Sequence, residues 1–425
     1  MIAILFVCFF VLLFLGLPIA FTLGGSSLLA IALGSEMDLA IVAQRIFSGS
    51  SGFTLMAIPF FVLAGNLMSS GGISRRLINF CNVMLGHVSG GLAMVAVVAC
   101  GFFAAISGSS AATAAAIGAI IIPEMLNHRY ERNFAAATVA SSAELGVIIP
   151  PSIGLIMYGV AAEQSIGDLF KAGLLPGVFI CVTLMAAAHF MAKKQGFVPS
   201  EKSTGKQKLA ALRKAVLALF MPVMILGSIY GGLCTATEAA VLAVVYGFVV
   251  GVFVYREIRW KDLPKILLDS CLTAATVLVI IGCSNIFGWV LAKQSVPQLV
   301  ANAFLGISGS KYVFLLLVNV LLLLLVGMFC EAGAAMVILA PLLAPVAASL
   351  GIDLVHFGII MMANLAVGMV TPPVGVNLYV VCDSAKVKIE GMMRYLLVFF
   401  AVLILDLLVI TFVPQLSLLL PHLLA

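Results

Sequence analysis

The feature that most constrains this chain is a series of apolar runs, each about as long as a bilayer is thick, with only short polar segments between them. A helix that crosses the hydrocarbon core needs about 20 mostly apolar residues, and its backbone must be hydrogen-bonded internally. A transmembrane β-barrel would instead alternate apolar and polar residues. Hydrophobic residues make up 63% of the sequence and charged residues 9%, against about 45–50% and about 25% in soluble domains. The sequence therefore predicts an all-α polytopic membrane protein.

The predicted spans are the uninterrupted apolar runs, namely Ile2–Leu15, Ile19–Leu33, Phe53–Leu67, Phe134–Val160, Leu169–Met191, Val216–Tyr230, Ala239–Tyr255, Cys271–Leu291, Phe357–Val381 and Tyr395–Val413. Two further apolar regions, Leu92–Met125 and Tyr312–Leu350, are interrupted near the middle by small polar residues. Each is compatible with a pair of spans or with one re-entrant hairpin that enters and leaves on the same side. The distribution of charge does not separate these two possibilities.

The positions of the basic residues predict the orientation of the chain. If the N-terminus lies outside and the two interrupted regions are hairpins, 18 of the 22 Lys and Arg residues fall on the cytoplasmic side. Only Arg45, Lys171, Lys293 and Lys311 fall outside. Cytoplasmic loops carry such an excess of Lys and Arg. We therefore expect both termini outside. No basic segment is dense enough to suggest nucleic-acid binding.

An internal repeat divides the chain into two related halves. A motif of one proline, one glycine and a proline pair occurs twice at a constant offset of 222 residues, first as Pro123, Gly146 and Pro150-Pro151, then as Pro345, Gly368 and Pro372-Pro373. Each half contains five spans plus an interrupted region. Because five is odd, the second copy is expected to be inserted with inverted topology. The repeat favours hairpins for the interrupted regions.

The repeat predicts the domain boundaries. The first inverted repeat is expected at 1–192, with a hairpin at about 92–125 and a broken helix at about 134–160. A basic cytoplasmic linker is expected at 193–215. The second repeat is expected at 216–425, with a hairpin at about 312–350 and a broken helix at about 357–381. Inverted repeats with paired, interrupted helices are typical of secondary transporters.

The proline pairs predict unpaired carbonyl oxygens inside the membrane. Proline has no N–H, so it cannot bond the carbonyl four residues earlier. The carbonyls of Gly146 and Val147 in the first half, and of Gly368 and Met369 in the second, lose their helical partners. An unpaired carbonyl in hydrocarbon costs several kcal/mol. A sodium ion prefers oxygen ligands, by analogy with other hard cations, and would remove that cost.

The interrupted regions place small polar residues opposite these breaks, within 107–113 and 327–333. The predicted ligands of two or more sodium ions are Ser107, Ser109, Ser110, Gly146, Val147, Ile149, Pro150, Gly327, Cys330, Gly333, Gly368, Met369 and Thr371. The candidate substrate-binding residues are Ser109, Thr113, Ser152, Ser284, Asn285, Asn364 and Asn377. The alternative for each break is a proline kink with small residues for close helix packing.

Three acidic residues lie within predicted membrane segments, where ionisable side chains are commonly functional. Glu144 lies two residues before Gly146, and Glu331 lies in the second interruption. For both, a role with ions or protons and a role as a buried, hydrogen-bonded carboxyl stay open. Asp406, in the last span, is given no role.

Four motifs, in order, resemble those of a known family. They are Ser-Gly-Ser-Ser-Ala-Ala-Thr at 107–113, Gly-Val-Ile-Ile-Pro-Pro-Ser at 146–152, Thr-Ala-Thr-Glu-Ala-Ala at 235–240 and Gly-Met-Val-Thr-Pro-Pro-Val-Gly at 368–375. Over essentially its whole length the chain resembles the large membrane subunit of tripartite ATP-independent periplasmic (TRAP) transporters. It departs from the family at Ala236, where proline is frequent.

The resemblance implies a transporter rather than an enzyme, with the elevator-type fold of the ion-transporter superfamily. The hairpins and broken helices would move against a scaffold, with Ile73–Gly86 and Val296–Gly306 as connecting arms. The implied activity is sodium-driven uptake of an organic acid, such as a sialic acid or a C4-dicarboxylate, across the bacterial inner membrane. The implied protein partners are a periplasmic substrate-binding protein and a small membrane subunit, expected as a separate polypeptide.

Two alternatives stay open at this point. One is a divalent-anion/sodium symporter of the same fold that works without a binding protein. The other is a passive channel, which would show a continuous polar stripe along several helices.

Overall fold

The computed structural model describes residues 1–194, 202–307, 309–328, 330–372 and 375–424. These residues are helical, with no strand among them. The helices, in chain order, are α1 (Ile2–Phe14), α2 (Ile19–Gly34), α3 (Ala40–Ser50), α4 (Ala57–Ser70), α5 (Ile73–Leu85), α6 (Gly91–Ser107), α7 (Ser110–Asn127), α8 (Arg132–Ala143), α9 (Leu145–Ile148), α10 (Ile153–Ala161), α11 (Ile166–Lys194), α12 (Gly205–Tyr230), α13 (Ala236–Phe248), α14 (Leu263–Lys293), α15 (Val296–Ile307), α16 (Lys311–Leu321), α17 (Ala332–Ser349), α18 (Leu354–Gly368), α19 (Val376–Ala385), α20 (Ile389–Phe412) and α21 (Gln415–Leu423).

The predicted all-α membrane fold is confirmed. Every predicted span is present as a helix, or as helices joined at a break or a π-helical turn. In the described part of the chain, 8 helices are long and apolar enough to cross a membrane. The pair formed by 132–148 and α10, bent by 41°, passes the same test as one broken span.

The structure also contains helices that the apolar runs did not predict. Helix α3 and helix α21 are each shorter than a span, so hydropathy alone gave no signal for them. Helix α12 begins at Gly205, inside the segment 193–215 that was expected to be a linker. Its start is fixed by a capping box, in which the Gln207 N–H donates to the Thr204 hydroxyl (3.4 Å) and the Thr204 N–H donates to the Gln207 side chain (2.7 Å). Residues 195–201 of the expected linker lie outside the described residues.

The helices pack in two groups. The outer group consists of α1–α4 and α12–α14, and the inner group of α6–α11 and α16–α21. The inner helices α8 and α18 are buried along almost their whole length. Helix α5 packs against α12 of the outer group and α6 of the inner group, and α15 packs against α14 and α17 in the same way. The two predicted arms therefore each lie between the groups.

Each half of the inner group contains a hairpin and a broken helix. Helix α6 ends because Gly108 adopts a left-handed backbone with φ +64°, which glycine allows at no steric cost, and Ser109 then caps α7 by accepting a hydrogen bond from the Ala112 N–H (3.4 Å). In the second half, α16 continues through a π-helical turn, Leu322–Gly327, and the side chain of Glu331 caps α17. We call the two turns, 107–110 and 327–332, the first tip and the second tip.

A similar backbone hydrogen bond joins each tip to the break of its own half, with an acceptor that is shifted by two residues relative to the repeat. The Ile153 N–H donates to the Gly108 carbonyl (3.2 Å), and the Gly375 N–H donates to the Met328 carbonyl (3.2 Å). Ile153 and Gly375 are themselves 222 residues apart. Because each tip meets its broken helix at the internal break rather than at a helix end, the hairpins turn back inside the protein, as expected of re-entrant segments.

The two halves also exchange contacts. Helix α7 of the first hairpin packs against α19 of the second half, and α17 of the second hairpin packs against α10 of the first half. The second tip and break approach at two glycines, since a Cβ atom on Gly368 would lie 2.4 Å from the Gly327 Cα and 2.5 Å from the Gly327 carbonyl carbon. The chain is thus a polytopic membrane protein of two related, interlocked halves.

Segments that the charge pattern placed on the same side of the membrane contact each other. Arg76 pairs with Glu257 (2.5 Å), and the Tyr255 hydroxyl donates to the Lys214 carbonyl (3.2 Å). Residues expected on the other side also meet, since the Lys171 amine donates to the Leu424 carbonyl (3.2 Å). The side of the membrane on which each set of segments lies stays a prediction.

Replacing Gly368 by Ala is expected to lower the stability of the protein. The new Cβ would meet backbone atoms of Gly327, which cannot rotate away as a side chain can, and overpacking costs about 1–3 kcal/mol. The measurement is the melting temperature in detergent, followed by size-exclusion chromatography. Gly227→Ala on α12 is the matched control, because no atom lies within 4 Å of its Cβ position and alanine favours a helix by about 0.5–1 kcal/mol. Equal melting temperatures for the two variants would contradict the close glycine contact.

Candidate functional site

The first break carries a cluster of oxygen atoms around Gly146. A Cβ atom at this position would lie 2.6 Å from the Ser109 carbonyl oxygen and 2.7 Å from the Thr113 hydroxyl. The Thr113 hydroxyl donates to the Ser109 carbonyl (2.8 Å) and lies 3.1 Å from the Ser107 hydroxyl. Any side chain at residue 146 would therefore displace these oxygens, so the predicted residues of the first tip and break do meet.

The carbonyl groups at this break have different partners. The Val147 carbonyl, predicted to be free, accepts the Ser152 hydroxyl (2.5 Å), and the same hydroxyl caps α10 by accepting from the Leu155 N–H (3.3 Å). The Gly146 carbonyl has no helical donor, because its partner would be Pro150. Ile149 is extended, at φ −71° and ψ 125°, and leads into a cis peptide between Pro150 and Pro151. The Ser152 hydroxyl thus pairs one backbone carbonyl and one backbone N–H that the break leaves without helical partners.

The second break has a related arrangement with fewer side-chain oxygens. The Gly368 and Met369 carbonyls were predicted to be unpaired, and this is wrong, because they accept the N–H groups of Thr371 (2.9 Å) and Asn377 (3.3 Å). The Thr371 hydroxyl donates to the Val367 carbonyl (2.7 Å). Pro372 is described, whereas Pro373, part of the predicted motif, lies outside the described residues. The meeting of Gly327 and Gly368 places the second tip against this break.

Of the two further predicted ligands Cys330 and Gly333, Gly333 lies beside helix α10 rather than at the break. A Cβ atom on Gly333 would lie 2.8 Å from the Met157 sulfur and 3.0 Å from the Glu331 carboxylate. The Cys330 N–H donates to the Val326 carbonyl (2.9 Å), and the thiol is half-buried. The second tip therefore faces the broken helix of the first half.

A chain of side-chain contacts joins the two halves. The Ser110 hydroxyl donates to the Asn377 side-chain oxygen (3.4 Å) and lies 3.6 Å from the Met369 sulfur. The Asn377 amide donates to one Glu144 oxygen (2.5 Å). The other Glu144 oxygen is buried and has no hydrogen-bond partner among the described residues. Ser110 of the first tip is therefore connected to Asn377 and Met369 of the second half.

The other intramembrane carboxyl groups have structural contacts. Glu331 caps α17 by accepting the Ala334 N–H (3.0 Å). Asp406 accepts the Thr183 hydroxyl (2.6 Å) between α20 and α11. Among the described residues, no group of three or more His, Cys, Asp or Glu side chains is arranged to hold a metal ion. The oxygens available at the breaks are therefore hydroxyls, carbonyls and the unpaired oxygen of Glu144.

The predicted substrate residues fall in different places. Ser109, Thr113 and Ser152 lie at the first break, and Asn377 lies beside the second. Asn364 lies apart, because its amide donates to the Asn319 side chain (2.9 Å) and carbonyl (3.0 Å). Asn319 in turn donates to Thr411 (2.9 Å), so this network ties α18 to α16 and α20.

Ser284 and Asn285 line a cavity of about 260 Å³ between the outer and inner groups. The walls come from α3 and α14 on one side and from α10 and α17 on the other, with the Ser284 hydroxyl donating to the Val337 carbonyl (2.8 Å). Arg45 and Trp289 also line this cavity. The sequence analysis did not select Arg45 as a site residue. One feature could have indicated it, because it is the only arginine among the four basic residues that the charge pattern placed outside.

One solved structure with this fold is the crystal structure of the Alcanivorax borkumensis YdaH transporter. The two chains superpose with a TM-score of 0.68 over 96% of this chain and 99% of that one. Their sequence identity is 16%, so this likeness shows the fold alone.

Relatives with much closer sequences are named transporter permeases. The isethionate TRAP transporter permease protein DctMQ of Oleidesulfovibrio alaskensis is 44% identical over 97% of this chain, which spans 65% of that protein's length. The C4-dicarboxylate TRAP transporter large permease protein DctM of Rhodobacter capsulatus is 39% identical over 96% of each chain. The sialic acid TRAP transporter large permease protein SiaM of Vibrio cholerae is 38% identical over 97% of this chain and 96% of that one. These names confirm the expectation of a transporter rather than an enzyme.

The family model described as tripartite ATP-independent periplasmic transporter, DctM component, matches residues 6–416. The match includes both hairpins and both broken helices. This chain belongs to the DctM family of TRAP transporter large permeases.

Proposed function

We propose that this protein is the membrane subunit that carries out sodium-coupled uptake of an organic acid. The observation that carries the proposal is the meeting of a hairpin tip with a broken helix in both halves of the chain. Secondary transporters hold substrate and coupling ions at such discontinuous helices. A passive channel would need a continuous polar stripe, whereas the oxygen clusters of this chain lie at the breaks.

The first break fits a small, hard cation. Ser107, Ser109 and Thr113 bring hydroxyl and carbonyl oxygens to Gly146, whose own carbonyl has no helical donor. Hard cations prefer oxygen ligands, and a monovalent ion needs no cluster of carboxylates. The absence of a side chain at Gly146 keeps this space open.

The second break offers a related set of oxygen atoms, which fits a sodium ion less well. The second proline pair removes the helical donors of the Gly368 and Met369 carbonyls, but the Gly368 carbonyl accepts the Thr371 N–H (2.9 Å) instead. Thr371 adds a hydroxyl. The Met369 carbonyl already accepts the Asn377 N–H (3.3 Å), although a carbonyl oxygen has a second lone pair. The contacts from Ser110 through Asn377 connect the two proposed sites.

Sodium coupling supplies enough free energy for uptake. If two sodium ions enter with one monoanion, one net positive charge moves inward, and a potential of 100 mV contributes about 2.3 kcal/mol. This corresponds to a concentration ratio of roughly 50, since 1.4 kcal/mol is a factor of ten. The sodium gradient adds to this ratio.

The packing supports an elevator motion of the inner group against the outer group. Helices α5 and α15 lie between the groups at matching positions in the two halves, as connecting arms would. The proposed sodium sites lie within the inner group, and the cavity lined by Ser284 and Asn285 lies where the groups meet. A substrate in this cavity would contact both groups.

The substrate, partners and location are proposed from the family. The relatives are named for isethionate, a C4-dicarboxylate and a sialic acid, and all three are small organic acids. We propose that a periplasmic binding protein delivers such an acid and that a small membrane subunit, as the fused DctMQ relative suggests, completes the complex. The location is the bacterial inner membrane, with both termini on the periplasmic side.

The deciding experiment is uptake into proteoliposomes that contain this chain and a small subunit, with a binding protein outside. Radiolabelled isethionate, succinate and N-acetylneuraminate are offered with and without an inward sodium gradient. Sodium-dependent accumulation that requires the binding protein is expected for one of them. Accumulation without a binding protein would favour the symporter alternative, and leakage down the substrate gradient without sodium would favour a channel.

Replacing Ser110 or Thr371 by Ala is expected to raise the sodium concentration for half-maximal uptake several-fold, because each variant loses an oxygen at a proposed sodium site. The measurement is initial uptake rate against sodium concentration. Ser384→Ala on α19 and Thr276→Ala on α14 are the matched controls, since both hydroxyls lie on exposed residues and bond only to their own helix. Unchanged sodium dependence in both test variants would contradict the assigned sites.

Cross-linking the inner group to the outer group is expected to stop uptake. In a background without the nine native cysteines, Ser284→Cys and Val337→Cys would be joined by a short bifunctional thiol reagent, because the Ser284 hydroxyl contacts the Val337 carbonyl (2.8 Å). The control joins Asn66→Cys to Ser270→Cys, whose native side chains are also 2.8 Å apart but both lie in the outer group. The elevator proposal fails if the two cross-linked proteins transport equally well.

A further inference from the structure

Arg45 is a positive charge without an acidic partner among the described residues, at the boundary of the two groups. Its guanidinium lies 5.2 Å from the centre of the Trp289 ring. Within the described chain it forms no ion pair and no hydrogen bond. A guanidinium is always charged and carries five N–H donors in a planar fork that matches an oxyanion. Its donors are therefore available to a ligand.

This guanidinium lines the cavity of about 260 Å³ that Ser284 and Asn285 also line. Pockets for drug-sized ligands hold about 300–1,000 Å³, so the ligand here is smaller. The Trp289 ring provides an apolar wall, and the Asn285 amide and the Ser284 hydroxyl add neutral hydrogen-bonding groups. One cation, one aromatic wall and two neutral polar groups fit a small organic anion with an apolar or hydroxylated body.

The cavity also adjoins the second tip. Met157 of α10 lines the cavity, and its sulfur would lie 2.8 Å from a Cβ atom on Gly333. An anion in the cavity would therefore contact α17 of the second hairpin through Val337 and Pro341, and it would lie one side chain away from Gly333. It would also contact α3 and α14 of the outer group.

One carboxylate, that of Glu163, lines the same cavity. It forms no ion pair with Arg45 in the described structure. Glu163 is exposed, and its backbone is left-handed at φ +54°. A carboxylate in the cavity lining would repel an incoming anion and would most disfavour ligands with several negative charges.

We infer that Arg45 binds the carboxylate or sulfonate group of the transported organic anion in this cavity. The inference rests on the proposed function, because it assigns the anion-recognition residue of the same transport cycle. The ligand class is a compact organic acid that presents one oxyanion group to the guanidinium.

The test measures binding and uptake separately, with the complex of this chain and its small subunit. Binding is followed as the rise in melting temperature with isethionate, succinate or N-acetylneuraminate, and uptake as sodium-dependent accumulation in proteoliposomes. Arg45→Gln is expected to raise the half-saturating anion concentration at least ten-fold in both measurements. Arg45→Lys is expected to lose less, because it keeps the charge but not the planar fork.

Two matched variants distinguish anion binding by Arg45 from a purely structural or gating role. Lys293→Gln removes a cation that lies 5.0 Å from the same Trp289 ring but does not line the cavity, and less than a two-fold change is expected. Glu163→Gln is expected to strengthen anion binding, because it removes the competing carboxylate. If Glu163→Gln instead weakens transport as much as Arg45→Gln, and the double variant is no worse, the two residues form a gate and the inference is wrong.

Comparing the wild type with Arg45→Gln distinguishes failure of the proposed function from failure of the role inferred for Arg45. Sodium-dependent uptake that is unaffected by Arg45→Gln would overturn the inference and leave the proposed function standing. Absence of uptake of all three anions would contradict the proposed function. In that case, stabilisation of the wild type but not of Arg45→Gln by an anion would still support the site, and equal responses of the two would overturn it.

Discussion

The structure depends on one constraint, that backbone N–H and C=O groups inside a membrane must find partners within the protein. Each proline pair works against this constraint in its own half, because proline has no N–H to pair with a helix carbonyl. The hairpin tips restore part of the pairing, because the Gly108 and Met328 carbonyls accept N–H groups from just beyond the breaks. The Ser152 hydroxyl restores another part at Val147. A break and its tip are therefore one unit, and neither is stable in hydrocarbon without the other.

Glycine allows these units to close. Gly146 admits the oxygens of Ser109 and Thr113, and Gly368 meets the backbone of Gly327. The two contacts differ in the kind of atom that lies next to the glycine. At the first break the neighbours of glycine are oxygen atoms, whereas at the second they are mainly backbone carbon atoms. The first break is accordingly the better candidate for ion binding.

Much of the fold could be predicted from the sequence, because hydropathy, charge and the repeat each report on single segments. The all-α fold is confirmed and helices cover the predicted spans, whereas the division into two repeats and a linker stays a prediction. The partners of individual groups could not be predicted, since they depend on packing between distant segments. Val147 was expected to be free and is bonded to Ser152, and Asn364 was expected near substrate and bonds to Asn319. Arg45 lies on a helix too short for hydropathy to detect.

The interlocking of the two halves bears on how the inner group can move. Helix α10 belongs to the first half but packs against α17 and α18 of the second. The Tyr158 hydroxyl donates to the Leu354 carbonyl (2.6 Å), and a Cβ atom on Gly358 would lie 2.4 Å from the Tyr158 ring. A hinge between the halves would have to separate this buried ring from its glycine and break its hydrogen bond. Motion at the boundary with the outer group would instead change the packing of α14 on α17 and of α4 on α6, beside a cavity and two amphipathic arms. The inner group is therefore expected to move as one body.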